Sequence, residues 1–243
     1  MHRSAPRLTR ILACAAVPVM LVVAGCSSDS DGGSGSTPDK GKGSASSAAP
    51  QPTPSKPKVE PAKYAKLPDF CKSISSKTTA ALVPKAKTKN GTAAASTDLT
   101  RRGGCSWNGL DEKGVKGSQY RWLDISFYRY ASDESLGSGQ DRAQENLAKE
   151  LAKIQATEGA KKLRTTAAGG IGDEASAVTY ELRKTNEDFE YASIVARTGN
   201  VVVLLSYNGA GYAGAATPSD KTILDGAVKA TREAVAAVAA ANK

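Results

Sequence analysis

Residues 189–207 read FEYASIVARTGNVVVLLSY. Two runs rich in β-branched and aromatic residues, Phe189 to Arg197 and Val201 to Tyr207, meet at Gly199-Asn200. A glycine-containing two-residue turn between such runs suits a β-hairpin. Val201-Val202-Val203-Leu204-Leu205 is apolar without alternation, which predicts a central strand covered on both faces.

Working outward, Thr217-Pro218-Ser219-Asp220 has the chemistry of a helix start, with threonine as cap, proline in the first turn and aspartate at the capping-box position. Ile223, Leu224, Ala227, Val228, Ala234, Val235 and Val238 give that helix a buried side. Upstream, Gly170-x-Gly172-x-x-Ala175 fits a dinucleotide fingerprint, which requires a strand before it and a helix after it. The next residues, Ala177 to Leu182, alternate like a strand instead, and Asp173 and Glu174 would repel a pyrophosphate. The segment therefore reads as a loop entering a strand. A helix is expected from Asp141 to Ile154, with Leu147, Leu151 and Ile154 as its stripe.

Tyr120 to Tyr130 is the clearest strand of the first half. Leu123, Ile125 and Phe127 alternate onto one face, and Trp122, Asp124, Ser126, Tyr128 and Tyr130 onto the other. Cys105-Ser106-Trp107 begins a strand before it, and Lys85 to Arg102 reads as a basic loop. Still earlier, a serine near Ile74-Ser75-Ser76 caps a short helix through Leu82-Val83, which Pro84 stops. The order is α-β-β-α-β-β-β-α. It predicts an α+β domain from residue 67 to 243, with helices on an antiparallel sheet of about five strands.

The N-terminal quarter is of another kind. Arg3, Arg7 and Arg10 precede an apolar run from Ile11 to Ala24, the charge and grease of a secretory signal over residues 1–25. The run is too short for a bilayer span, which needs about 20 apolar residues. Leu21-Val22-Val23-Ala24-Gly25-Cys26 closes it with small residues and a cysteine. This resembles the lipobox of bacterial lipoproteins. The resemblance implies a diacylglyceryl group on Cys26, cleavage before it, and a protein held on the extracytoplasmic face of the membrane. A plain secretory cleavage site is the alternative. Residues 26–66 are Ser, Gly, Pro, Lys and Ala with almost nothing to bury, a disordered tether. About 40 such residues span roughly 35 Å root-mean-square.

The chain carries 33 basic and 24 acidic residues, a formal charge of +9, and loss of the signal leaves roughly +6. For an exported protein, this charge points to anionic lipid and acidic wall polymers, and nucleic acid is not an expected partner. Cys14 leaves with the signal, so Cys71 and Cys105 remain as an even pair in an oxidising compartment, where a disulfide is the default. A metal or redox pair is the rival, without a C-x-x-C spacing to support it. The only histidine, His2, is also lost. Without imidazole, Ser-His-Asp and Cys-His catalysis and histidine metal sites are excluded, and no cofactor motif survives.

With these residues placed, the chain resembles a group of uncharacterised actinobacterial lipoproteins classed as a domain of unknown function. The likeness rests on Cys26, Cys71, Cys105-Ser106-Trp107, Gly170 to Ala175 and the turn at Gly199-Asn200. The layout is more distantly similar to the extracellular sensor domain of a mycobacterial Ser/Thr kinase. The family implies a fold and no catalytic residues.

The functional expectation is a non-catalytic binding or sensor module of the cell envelope, palmitate-type lipid at Cys26 holding it to the membrane. A cell-wall component, a small amphiphile or an envelope protein would be its partner. The polar face of Trp122, Asp124, Ser126, Tyr128 and Tyr130 is the candidate binding surface, since rings with polar tips suit a half-wet site. The competing expectations are a hydrolase built on carboxylates such as Asp124, Asp173, Glu174 or Asp188, and a structural subunit of an envelope complex.

Overall fold

The structure, a computed structural model, describes residues 59–243. The signal, Cys26 and most of the expected tether lie outside the described residues.

One antiparallel sheet organises the domain, in the order β1-β2-β3-β7-β6-β5-β4. Its strands are β1 (Thr92–Ala93), β2 (Arg102–Glu112), β3 (Ser118–Arg129), β4 (Lys161–Ala167), β5 (Glu174–Lys184), β6 (Glu187–Thr198) and β7 (Val201–Tyr212). The helices are α1 (Ser76–Leu82), α2 (Gly139–Gln155) and α3 (Asp220–Ala240). The α+β class stands, with seven strands in place of about five. The two additional strands are both at the edges. β1 is a two-residue pairing inside the expected Lys85–Arg102 loop, and β4 is exposed along nearly its whole length, with only Leu163 half-buried. A strand with one apolar residue leaves no alternation to read.

The 189–207 hairpin forms as its residues dictate. Thr198 pairs with Val201 across Gly199-Asn200, and Gly199 alone of the two turn residues has a left-handed φ, +54°. That is the pattern of a II′ turn, whose twist matches the strands it joins. β7 lies between β3 and β6 with Val201, Val202 and Val203 fully buried. On one face, α1 and α3 cover Leu123, Ile125, Phe127, Ile194 and Leu205. On the other, Ala143 and Leu147 of α2 pack on Val195 and Val202. Each side chain of this size, once buried, contributes about 1.5–3 kcal/mol.

Three boundaries differ from the sequence reading. Ser219, not Thr217, caps α3, its hydroxyl accepting from Thr222 N. β2 starts at Arg102, three residues before Cys105. Packing also reaches back ahead of Leu67. Tyr64 is buried, its backbone N donating to Asn200 Oδ1 at 2.7 Å and its carbonyl accepting from Asn200 Nδ2 at 2.9 Å. Cys71 and Cys105 are bonded, with Cα atoms 5.2 Å apart, so the turn before α1 is stapled to β2.

Candidate functional site

The five sequence candidates do share one face of β3, and the register widens it. Asp124 lies between Ser106 of β2 and Ser206 of β7, and Trp122 between Asn108 and Asn208. Directly paired residues point to the same side, so hydroxyls and amides gather around one carboxylate. Among the described residues, the side chains of Asp124, Ser126, Ser106 and Asn208 make no hydrogen bond. Burial pushes the Asp124 carboxyl up from its ordinary range. Trp122 and Leu110, on this same face, are 37% and 39% exposed. Trp122 is thus the exposed member of this group, with Asp124 and Ser126 half-buried beside it.

Tyr128 and Tyr130 part from that group. Both pack under α2 with Leu204, and the guanidinium of Arg142 lies 5.7 Å from the Tyr130 ring centre. Burial first, then the charge of Glu150, pushes the Tyr130 hydroxyl up to about 12. Both rings are half-buried, packed on α2 at one side and lining a cleft at the end of the sheet at the other.

Of the four carboxylates weighed for hydrolysis, Asp173, Glu174 and Asp188 are paired with arginines, and Asp124 is not. Asp173 Oδ2 accepts from Gly199 N at 2.6 Å and pairs with Arg197 at 3.3 Å, while Glu174 approaches Arg197 at 3.9 Å. Asp188 pairs with Arg183 at 3.1 Å. The glycine-rich turn is therefore a brace on the hairpin. Gly172 has φ +62°, and a Cβ there would stand 2.3 Å from the Arg197 carbonyl oxygen. Only glycine makes that approach. Among the described residues, no cluster of His, Cys, Asp or Glu is placed to hold a metal.

A cavity that sequence reasoning did not find opens between α1, the loop after it and β2. It measures about 450 Å³, with walls from Thr79, Ala80, Val83 and Ala86 and its floor on Trp107. The local sequence explains its form. Trp107 succeeds Cys105 at period two, so both face α1 beside the disulfide. Gly91, at φ +78°, lets the loop lie flush on them, since a Cβ there would come within 2.4 Å of Cys105 Sγ and 2.6 Å of the indole. Trp107 is 2% exposed, yet its Nε1 has no hydrogen-bond partner. Lys85 and Lys89 also line the cavity, and both are exposed. Apolar walls and two ammonium groups suit a ligand with an apolar body and an anionic end. The Cys-x-Trp motif and the lysine-rich loop were the signal, 18 residues apart in sequence at Lys89 and Trp107 and joined only by the fold.

Among known proteins, the family described as "Protein of unknown function (DUF3558)" matches residues 21–188. No curated protein matches. A solved structure, LpqN, "involved in cell envelope biogenesis of Mycobacterium tuberculosis", is 14% identical, with 58% of this chain and 82% of that chain covered and a TM-score of 0.32. A likeness of that depth transfers neither fold nor role. Neither match is to the kinase sensor domain to which a distant likeness was expected.

Proposed function

The chain belongs to that family of unknown function, and we propose from its own geometry that it is a non-catalytic, lipid-anchored binding module of the cell envelope, taking a small amphiphile in the cavity over Trp107. The observation that carries this is an apolar cavity of about 450 Å³ floored by Trp107 and edged by the exposed Lys85 and Lys89. The apolar walls would take the body of the ligand, and Lys85 and Lys89 would hold a negative end. The non-catalytic reading is supported by a mature chain without imidazole and by the pairing of Asp173, Glu174 and Asp188 with arginines, which leaves Asp124 as a lone carboxylate. The half-buried polar face around Asp124 is then a separate surface.

Fluorescence tests the cavity. The chain has two tryptophans, so Trp122→Phe leaves Trp107 as the only reporter. Titration with dodecanoate should give a saturable change in Trp107 emission. Ala80→Phe, which fills the cavity, should abolish the change, and the double variant Lys85→Glu, Lys89→Glu should weaken binding. No saturable change, or one that Ala80→Phe leaves intact, refutes the reading.

A further inference from the structure

Four arginines gather at the end of the sheet where the chain enters the domain. Arg101, Arg102, Arg129 and Arg142 line one cleft of about 300 Å³ with Tyr128 and Tyr130. The sheet register explains the convergence. Arg102 stands opposite Tyr128 at the ends of β2 and β3, Arg129 closes β3, and Arg142 rises from the first turn of α2. The cleft is held open by bonds to backbone: Arg129 Nε donates to Thr100 O at 2.9 Å, and Arg142 donates to Ala131 O at 2.7 Å. Arg101 pairs with Asp98 at 3.3 Å. Asp133 also lines the cleft, its carboxylate accepting from Ser135 and Leu136 of its own turn. The cleft lining thus carries four arginines against one carboxylate, with Asp98 beside Arg101.

Two further observations fall at the same end. Leu99 and Leu136 are 58% and 61% exposed, two of five large apolar side chains so exposed among the described residues. Leu136 lines the cleft, and Leu99 precedes the Thr100 carbonyl that Arg129 holds. The chain also arrives here. Ser132 Oγ donates to Glu60 O at 2.5 Å, and Gln140 donates to Pro61 O at 3.2 Å. Residue 60 is 34 positions after Cys26, a length that spans roughly 32 Å root-mean-square if flexible.

We propose that this arginine-lined end, with Leu99 and Leu136 beside it, docks the domain onto the anionic lipid surface to which the chain is tethered. The lipid anchor is that of the proposed function, but the docking chemistry is independent of it. Guanidinium groups recognise phosphate oxygens through paired donors. Basic residues near an anionic leaflet each strengthen attachment roughly fivefold, an attraction confined to about a Debye length. Exposed leucines add burial at the headgroup boundary. A short tether raises the effective concentration of the surface for a contact too weak to hold alone.

The test uses the mature chain with Cys26→Ser, so that no acyl group contributes. Sedimentation with vesicles of phosphatidylglycerol and phosphatidylcholine should show at least tenfold tighter binding than with phosphatidylcholine alone, falling steeply at 0.5 M salt. Arg101→Glu with Arg102→Glu should remove that difference, and Leu99→Ser with Leu136→Ser should weaken binding severalfold, both with unchanged melting temperatures. Equal binding to the two vesicle types, or binding indifferent to the arginine reversals, overturns the proposal. So does displacement by millimolar glycerol phosphate, which would mark a site for a soluble anion. Loss of acylation at Cys26 in native protein would instead strike the anchor and leave the vesicle result standing.

Discussion

Glu190 is a buried acid on β6 with Glu181 as its cross-strand neighbour. Burial, then the charges of Glu181 and Asp220, pushes its carboxyl up to about 7. Lys162 and Arg164 pull the other way but are themselves paired, Lys162 with Glu181 at 2.6 Å and Arg164 with Asp220. A folded value above the unfolded one means that the native state holds the proton longer. Stability is therefore fully present below about 4.5 and falls as pH rises through about 7. The loss is at most about 3 kcal/mol. Urea unfolding of Glu190→Gln should match wild type near pH 4 and exceed it at pH 7.5, with a flatter profile between. Parallel pH profiles would show that Glu190 is not the group responsible.

At the scale of elements, the disulfide acts where the helical layer meets the sheet edge. Cys71 sits in a single turn of 3₁₀ helix, Phe70–Lys72, capped by Asp69, and this turn has no core of its own. The bond to Cys105 closes a separation of 34 residues, worth about 3.7 kcal/mol in the chain-entropy model. It also fixes the floor of the Trp107 cavity. Cys71→Ala should cost about 2–5 kcal/mol in denaturant unfolding. Peptide mapping without reductant should recover the two cysteines as one linked pair, and two alkylated thiols in folded protein would contradict it. β4 shows the opposite case. It is held by β5 and by ion pairs such as Lys162–Glu181, with a register shift between Lys161 and Arg164. Pairing alone makes it a strand, so nothing in its composition announced it.

At the scale of the whole molecule, the chain entering the domain is built into its sheet. Asn200 in the hairpin turn shows how the two join: its amide donates to Tyr64 O and Tyr130 O, and its Oδ1 accepts from Tyr64 N. One buried side chain thus ties the incoming chain, β3 and the central hairpin together. Upstream of that knot, acylation at Cys26 is the expectation on which localisation depends. Intact mass of membrane-extracted protein should show a chain starting at Cys26 with added diacylglyceryl, and Cys26→Ser should release it from the membrane. An unmodified Cys26 thiol in native protein would leave the domain without its anchor.

What the sequence determined alone was whatever depends on neighbours along the chain. The hairpin at Gly199-Asn200, the face alternation of β3 and the stripe of α2 all come from period and turn chemistry, and each is present. The disulfide came from counting thiols in an oxidising compartment. The tertiary structure decided what depends on residues distant in sequence. It divided one face of β3, leaving Trp122 exposed while α2 packs on Tyr128 and Tyr130, because a helix of 17 residues covers only part of a seven-stranded sheet. It made Asp173 a brace on a hairpin turn 26 residues away. It set Trp107 beneath α1 with an unpaired donor, and it brought arginines from β2, β3 and α2 to one end. Periodicity records which way a side chain points, but burial and charge convergence are set by what else arrives there, and that is a property of the packed chain.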